Sequence, residues 1–262
     1  MFKSSYMSKI LTIQICIILF NPSPVLAQDY TGDMGMLYTD IGMSGAMMDS
    51  ATESGIFSAE TVRTSFEKNI IDIVASKNSV RISGNTTSFN HSMQQQKKNL
   101  AQFVAKAKNA NQKGGAQLEI IFTSTDIIAD VGKGIAPYGL KTNNVADAYA
   151  VYWMTAWQAA HGDTSDFTRA QSQAVKQQAA NALLATPEFI SATDAIKQEM
   201  AEAYLVQAAL IQASVDVAQT DRTIAKGLPS AVRKGAKASG LDLDAMTLTD
   251  EGFVPARKDS DE

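Results

Sequence analysis

Residues 144–162 read NVADAYAVYWMTAWQAAHG, and this stretch predicts the central helix of the protein. Asn144 can cap the helix, and Asp147 falls in its first turn, where a carboxylate suits the positive end of the helix dipole. Gly162 supplies the left-handed residue that ends many helices. Because an aromatic side chain can bury about 150–250 Å², this helix is predicted to form the middle of the core. Three aromatic residues share one helical face: Tyr149, Trp153 and Trp157.

The rest of the chain also predicts helices, because apolar residues recur at spacings of three and four. The long helix after Thr186-Pro187 has a seam of apolar residues at intervals of seven, which indicates burial against other helices and could equally form a homodimer. We therefore predict an all-α fold, a single helical bundle of about six to seven helices over residues 58–255. The seam residues are Phe189, Ile196, Ala203, Leu210 and Val217; the other predicted helices cover about 58–74, 92–110, 116–136, 164–184 and 220–238.

Several residues are expected to mark boundaries within this bundle. Glycine and proline interrupt helices, whereas aspartate caps them. Residues 246–253 are predicted to dock as a terminal segment, and a short strand is an option near Val80 and Ile82. The expected boundary residues are Gly114-Gly115 as a stop, Asp163 and Asp166 as caps, and Gly227 and Pro229 as breaks in the last helical region.

The first 27 residues are typical of a cleavable secretory signal. Lys3 and Lys9 precede an apolar run of about 11 residues, roughly half of the ~20 needed to cross a bilayer. We expect export to the periplasm or beyond and no transmembrane segment after cleavage. Residues 28–57 are rich in Gly and Met, acidic and free of Lys and Arg, which predicts a flexible arm, and residues 256–262 predict a disordered acidic tail.

Composition excludes several functional classes. The single cysteine, Cys16, lies in the predicted signal, so the processed chain has no thiol for catalysis, metal binding or disulfides. Cleavage removes two of 23 basic residues and none of 27 acidic ones, which leaves a net charge of −6. A negative chain is a poor candidate for nucleic-acid binding. No motif predicts a cofactor.

Two segments resemble a family of uncharacterised exported bacterial proteins with a domain of unknown function. They are Asn143–Trp157, NNVADAYAVYWMTAW, and Leu248–Phe253, LTDEGF. The resemblance covers roughly residues 90–255. It implies a bacterial source, export and a helical domain, and it implies no functional residue.

Candidate catalytic residues come from the acidic side chains, because paired carboxylates hydrolyse glycosidic bonds in exported enzymes. The candidates are Glu119, Asp126, Asp130 and Asp147, and each also has a capping or solvent-facing explanation. The two histidines, His91 and His161, are not expected to act together. His161 precedes Gly162, where the negative end of a helix favours an imidazolium, so a structural role is the simpler interpretation.

Methionines cluster in the arm, and thioethers are soft ligands that suit Cu(I). A flexible apolar arm is the simpler explanation, because Met side chains adapt to irregular contacts. The leading hypothesis is an exported, non-catalytic helical module that binds or scaffolds another cell-envelope component. The alternatives are a carboxylate-dependent cell-envelope hydrolase and a Met-rich Cu(I)-binding periplasmic protein. The candidate copper ligands are Met34, Met36, Met43, Met47 and Met48.

Overall fold

A computed structural model describes residues 68–70, 72–74, 86–238 and 241–256. The predicted signal, the arm with its five methionines, the strand option at Val80 and Ile82, and the tail beyond Ala256 lie outside these residues. Residues 68–70 and 72–74 are helical, in agreement with the helix predicted over about 58–74.

The described residues form a helical bundle with one small hairpin, which confirms the predicted fold class. A single hydrophobic core runs through the bundle. Two one-turn 3-10 helices, Ala136–Tyr138 and Leu243–Ala245, join longer elements. The elements in order are α1 (Met93–Ala110), α2 (Gln112–Ser124), α3 (Ile127–Ile135), α4 (Val145–His161), α5 (Arg169–Leu184), α6 (Pro187–Ile190), α7 (Asp194–Ala218), α8 (Arg222–Ala238), β1 (Met246–Thr249) and β2 (Gly252–Pro255).

Helix α4 is the central helix that its sequence predicts. The Asn144 side chain accepts hydrogen bonds from the backbone N–H groups of Ala146 and Asp147, and Gly162 ends the helix with φ at 66°. Tyr149 and Trp153 are buried, and their rings lie 5.7 Å apart. Helices α5, α7 and α8 all pack against α4, which therefore has no extended solvent face.

Helix α7 is buried over more of its surface than the predicted apolar seam alone requires. Thr186-Pro187 begins only the one-turn helix α6, and α7 begins afresh after its cap Thr193. Of the predicted seam, Phe189 and Ala203 are buried, whereas Ile196, Leu210 and Val217 are half-buried. The difference arises because α4 and α1 flank α7, so every residue from 197 to 209 is buried whatever its heptad position.

The glycine pair does not stop a helix, contrary to the prediction. Gly114 and Gly115 lie inside α2, and the chain turns earlier, at Asn111, whose side chain caps α2 by accepting from Gly114 N–H. A Cβ built on Gly115 would lie 2.3 Å from the backbone nitrogen of Lys108 on α1. Glycine is therefore required by the close crossing of two helices.

Two other predicted boundaries are also wrong. The single helix expected over 116–136 is two, because Thr125 is extended and Asp126 caps α3. Helix α5 begins at Arg169 and not near Thr164, because Thr168 and Gln171 form a reciprocal capping box there. Asp163 instead accepts from Ser165 N–H in a local turn.

The C-terminal part contains an uninterrupted helix and an unexpected hairpin. Helix α8 continues through Gly227 and Pro229. One face of the helix is buried at every fourth residue from Ile224 to Ala236, and this face holds the helix on the core. The predicted docked segment is an antiparallel hairpin in which Leu248 pairs with Phe253 and Thr247 with Val254. No helix among the described residues has the length and apolarity to cross a bilayer.

Candidate functional site

The four carboxylates predicted as catalytic candidates do not converge on one site. Glu119, on α2, forms an ion pair with Lys108 of α1, with Oε2 2.6 Å from Nζ. Asp126 caps α3 by accepting from Ala129 N–H. Each of these two carboxylates therefore has a local structural partner, as the simpler interpretation of the sequence allows.

Asp130 also has a structural role, in the first turn of α3. Its two oxygens lie 2.7 Å from Lys133 Nζ and from the Thr125 hydroxyl. The hydrogen bonds from Lys133 and Thr125 lower the pKa of Asp130 although burial opposes that shift. A carboxyl held in its ionised form is a poor general acid.

Asp147 is fully buried and ties α4 to α5. Its Oδ1 lies 2.7 Å from Lys176 Nζ, and its Oδ2 accepts from Lys141 N–H at 2.9 Å. Burial raises the pKa of Asp147, and the Lys176 ammonium opposes that rise. Because this carboxylate is inaccessible and already paired, it positions helices and has no room to meet a substrate.

A second buried carboxylate, Glu202 on α7, was missed by the sequence analysis. It is 2% exposed. Its two oxygens accept from Asn99 Nδ2 at 2.7 Å and from Gln198 Nε2 at 2.8 Å. Burial raises the pKa of Glu202, against the effect of the two amides. Gln198 and Glu202 are one turn apart on α7, but other polar residues such as Glu199 and Gln207 lie on the same helix, so no local pattern singles out Glu202.

His91 lies at the edge of this network. Its Nε2 is 2.6 Å from Gln96 Oε1 and 4.0 Å from Glu202 Oε1. Gln96 in turn donates to Asp126 Oδ1 at 3.0 Å. The network thereby links the starts of α1 and α3 to α7, and it brings together one predicted histidine and one predicted carboxylate.

The cavity beside Glu202 is small. Asn99, Phe103 and Glu199 are among its lining residues, and it has room for about one water molecule. A buried acid with a raised pKa can hold a proton, but a cavity of this size excludes a sugar or peptide substrate. Among the described residues, no three His, Cys, Asp or Glu side chains cluster closely enough to hold a metal ion.

His161 occupies the position that its sequence context predicts, at the end of α4. Its Nδ1 lies 2.9 Å from the carbonyl oxygen of Trp157, and its ring packs on the Trp157 indole with centroids 4.5 Å apart. Its Nε2 lies 3.6 Å from Asp244 Oδ1. The two histidines belong to separate clusters, and His161 caps a helix and packs against its neighbours.

A much larger concave surface than the one beside Glu202 lies on the outer face of the hairpin. We call it the hairpin groove; it has a volume of about 1140 Å³. The hairpin contributes threonines and valine to one wall, α5 contributes side-chain amides, and the N-terminal helical residues contribute two apolar side chains. The principal lining residues are Ile73, Val74, Gln177, Gln178, Asn181, Thr247, Thr249 and Val254.

The hairpin that forms this wall is held firmly on the bundle. Gln178 accepts from the backbone N–H of Phe253 at 2.9 Å and donates to its carbonyl at 2.7 Å, as a neighbouring strand would. The Phe253 ring stacks on Trp153 with centroids 4.3 Å apart. Trp157 Nε1 donates to the Met246 carbonyl at 3.0 Å. The two tryptophans therefore support the groove from beneath.

Comparison with known proteins gives one relationship. A family model described as a family of unknown function (DUF6683) matches residues 59–255. Both segments that carry the resemblance, Asn143–Trp157 and Leu248–Phe253, fall within the match. No curated protein and no solved structure matches the chain. The match covers most of the chain, including the central helix and the hairpin, and the protein therefore belongs to this family of unknown function, DUF6683.

Proposed function

We propose that this protein is an exported, non-catalytic helical module that binds another component of the cell envelope through the hairpin groove. The groove carries the proposal. Its volume of about 1140 Å³ lies just above the range of about 300–1,000 Å³ that small-molecule sites typically enclose, which suits a polypeptide segment. Export rests on the secretory features of residues 1–27.

The lining of the groove suits a short polypeptide segment of a partner protein. Threonine hydroxyls and glutamine or asparagine amides both donate and accept hydrogen bonds, as peptide groups do. Thr247 supplies such a hydroxyl, while Val74 and Val254 supply apolar contact. Thr249 and Gln177 also line the groove, where they bond to the Gly252 carbonyl and to Asn181. A segment with small polar and aliphatic side chains would match both.

The support beneath the groove favours binding without large rearrangement. Trp153 and Trp157 anchor the hairpin from the side away from the groove, and Gln178, which lines the groove, bonds the hairpin to α5. A wall that is ordered before the partner arrives loses little conformational entropy on binding.

The hydrolase alternative is less well supported. The carboxylates that it would use are separated and individually paired, and the acid with a raised pKa, Glu202, borders a cavity of about one water molecule. Turnover of cell-wall glycan by the purified protein, abolished by Glu202→Gln in a folded variant, would establish the hydrolase instead.

The copper alternative rests on residues outside the described part of the chain. Titration of a peptide covering residues 28–57 with Cu(I) tests it directly. A saturable complex below micromolar concentration would establish copper binding, and its absence would end this alternative.

Site-directed photo-crosslinking tests the binding proposal. A photoreactive residue at Thr247, which is exposed in the groove, is expected to give one adduct of defined mass in a bacterium that exports the protein. The matched control is the exposed Thr123 on α2, outside the groove. The adduct should disappear when Val254→Arg fills the groove. No adduct from position 247, or the same adduct from both positions, would refute the proposal.

A further inference from the structure

Helix α8 presents a row of cations to solvent. Arg222, Lys226, Lys234 and Lys237 are exposed, while the opposite face of the helix is buried on the core. At 100° per residue these four positions fall within about a third of the helix circumference, and over 15 residues the row is about 22 Å long. We call this row the cationic face.

Local acids leave most of this face unneutralised. Arg233 lies within the same arc but is half-buried, and it pairs with Asp244, with Nε 2.8 Å from Oδ1. Asp221 caps the start of the helix by accepting from Thr223 N–H. Within the described part of the chain, no carboxylate lies within ion-pair distance of Lys226, Lys234 or Lys237. The helix contains five basic residues and no acidic one.

The chain contains a segment of matching opposite charge. Residues 28–57 include five acidic residues, Asp29, Asp33, Asp40, Asp49 and Glu53, and no Lys or Arg. They lie outside the described residues. A segment with a formal charge of −5 therefore belongs to the same molecule as a helix of formal charge +5.

We infer that residues 28–57 dock on the cationic face of α8 in their own chain. The described chain begins at Lys68, and Asn69 is anchored by hydrogen bonds to the Ala182 carbonyl and the Thr186 hydroxyl. Residues 28–57 can span up to about 100 Å when extended, which exceeds the diameter of a domain of this size. The segment can therefore reach α8 wherever it leaves the bundle.

An intramolecular occupant is favoured over an anionic membrane for two reasons. Tethering gives the acidic segment an effective concentration of about millimolar or more at α8, whereas an external surface must be met by diffusion. The whole chain has a net charge of −4, which opposes approach to an anionic surface. The docked segment would occupy the cations that such a surface would need.

Paramagnetic relaxation in the processed chain, residues 28–262, tests the inference. The chain after the predicted cleavage point has no cysteine, so Ser230→Cys places one nitroxide on the exposed centre of the cationic face. The matched control is Gln94→Cys, an exposed position on α1. The label at position 230 is expected to cause loss of the amide signals of residues 28–57, and the label at position 94 is not.

Charge variants and salt decide the cause of any contact. The loss of the amide signals of residues 28–57 should be abolished by the combined Lys226→Gln, Lys234→Gln and Lys237→Gln variant. It should be retained by the matching Lys→Arg variant, which keeps the charge. It should also diminish when salt is raised from about 0.05 to 0.5 M, because screening shortens the range of charge interactions. Equal broadening from both labels, or broadening that survives the Gln substitutions, overturns the inference. So does binding of the cationic face to phosphatidylglycerol vesicles with no effect of the label on residues 28–57.

Discussion

Substitution of Gly115 by alanine should destabilise the protein, although alanine is the better helix former. Gly115 lies inside α2, where the backbone entropy gained from Gly→Ala would normally stabilise by about 0.5–1 kcal/mol. The new Cβ would instead lie 2.3 Å from the Lys108 nitrogen and 2.6 Å from the Lys108 Cα. Both atoms are backbone, so α1 and α2 must separate. Overpacking of this kind costs about 1–3 kcal/mol. Because the contacted atoms are backbone, we take the upper part of that range, about 2–3 kcal/mol, and after subtracting the helix gain we expect a net loss of about 1–2.5 kcal/mol in the free energy of unfolding.

A matched substitution in the same chain should have the opposite effect. Gly227 also lies inside a helix, α8, but a Cβ built there meets nothing within 4 Å. Gly227→Ala should therefore stabilise by about 0.5–1 kcal/mol. Urea denaturation followed by circular dichroism measures both, and the difference between the variants should reach about 2–3 kcal/mol.

The sign of the Gly115 effect decides whether the reasoning holds. If Gly115→Ala matched or exceeded the wild type in stability, the close crossing of α1 and α2 would be wrong. The glycine pair would then serve as the helix stop that the sequence suggests. Tryptophan emission should stay unchanged in either variant, because both indoles lie on α4 and neither glycine does.

Three further outcomes follow from buried contacts. Phe253→Ala should cost about 3–5 kcal/mol and shift tryptophan emission to longer wavelength, because its buried ring stacks on Trp153; unchanged emission would mean that the hairpin does not dock. Asp147→Ala should cost about 3 kcal/mol, since it strands the Lys176 ammonium, and in denaturation measurements the further change Lys176→Met should recover part of the loss; no recovery would contradict the ion pair. The raised pKa of Glu202 means that the folded state binds more protons than the unfolded state above the ordinary glutamate value of 4.5. The free energy of unfolding should therefore fall as pH rises through that range, and Glu202→Gln should flatten the decline; an identical pH slope in the variant would refute this assignment.

Local signals in the sequence predicted the best-defined elements correctly. Helix α4 begins at the cap Asn144 and ends at Gly162, and α1 begins at the cap Ser92. In each case the deciding interaction joins residues only a few positions apart. Such interactions are the same in the isolated segment and in the folded chain, so the sequence alone identifies them.

The boundaries that failed were decided by contacts between distant elements. Pro229 continues a helix because the buried face of α8 holds it on the core, and Gly115 continues one because α1 passes beside it. Composition cannot distinguish a glycine that ends a helix from one that lets two helices meet. Only the position of the second backbone does so.

The candidate sites divide in the same way. The sequence identified Asp126, Asp147 and His161 and gave each a capping or structural alternative, and the structure places all three in such roles. Glu202 and the hairpin groove could not be identified from the sequence. Asn99, which donates to Glu202, lies 103 positions away, and the groove combines residues 73–74 with residues of α5 and of the hairpin; contacts over such separations leave no local pattern.

By itself, the sequence determined that this chain folds into helices around the aromatic face of residues 144–162 and that it cannot depend on disulfides after residue 27. The reason is that helical periodicity, caps and cysteine content are local properties of a chain. Tertiary structure alone decided which polar groups became buried, that Gly115 would lie where two helices cross, and that Gln178 would complete the edge of a hairpin. Those outcomes depend on which helix surfaces are buried against one another, and this is determined only when all the helices pack.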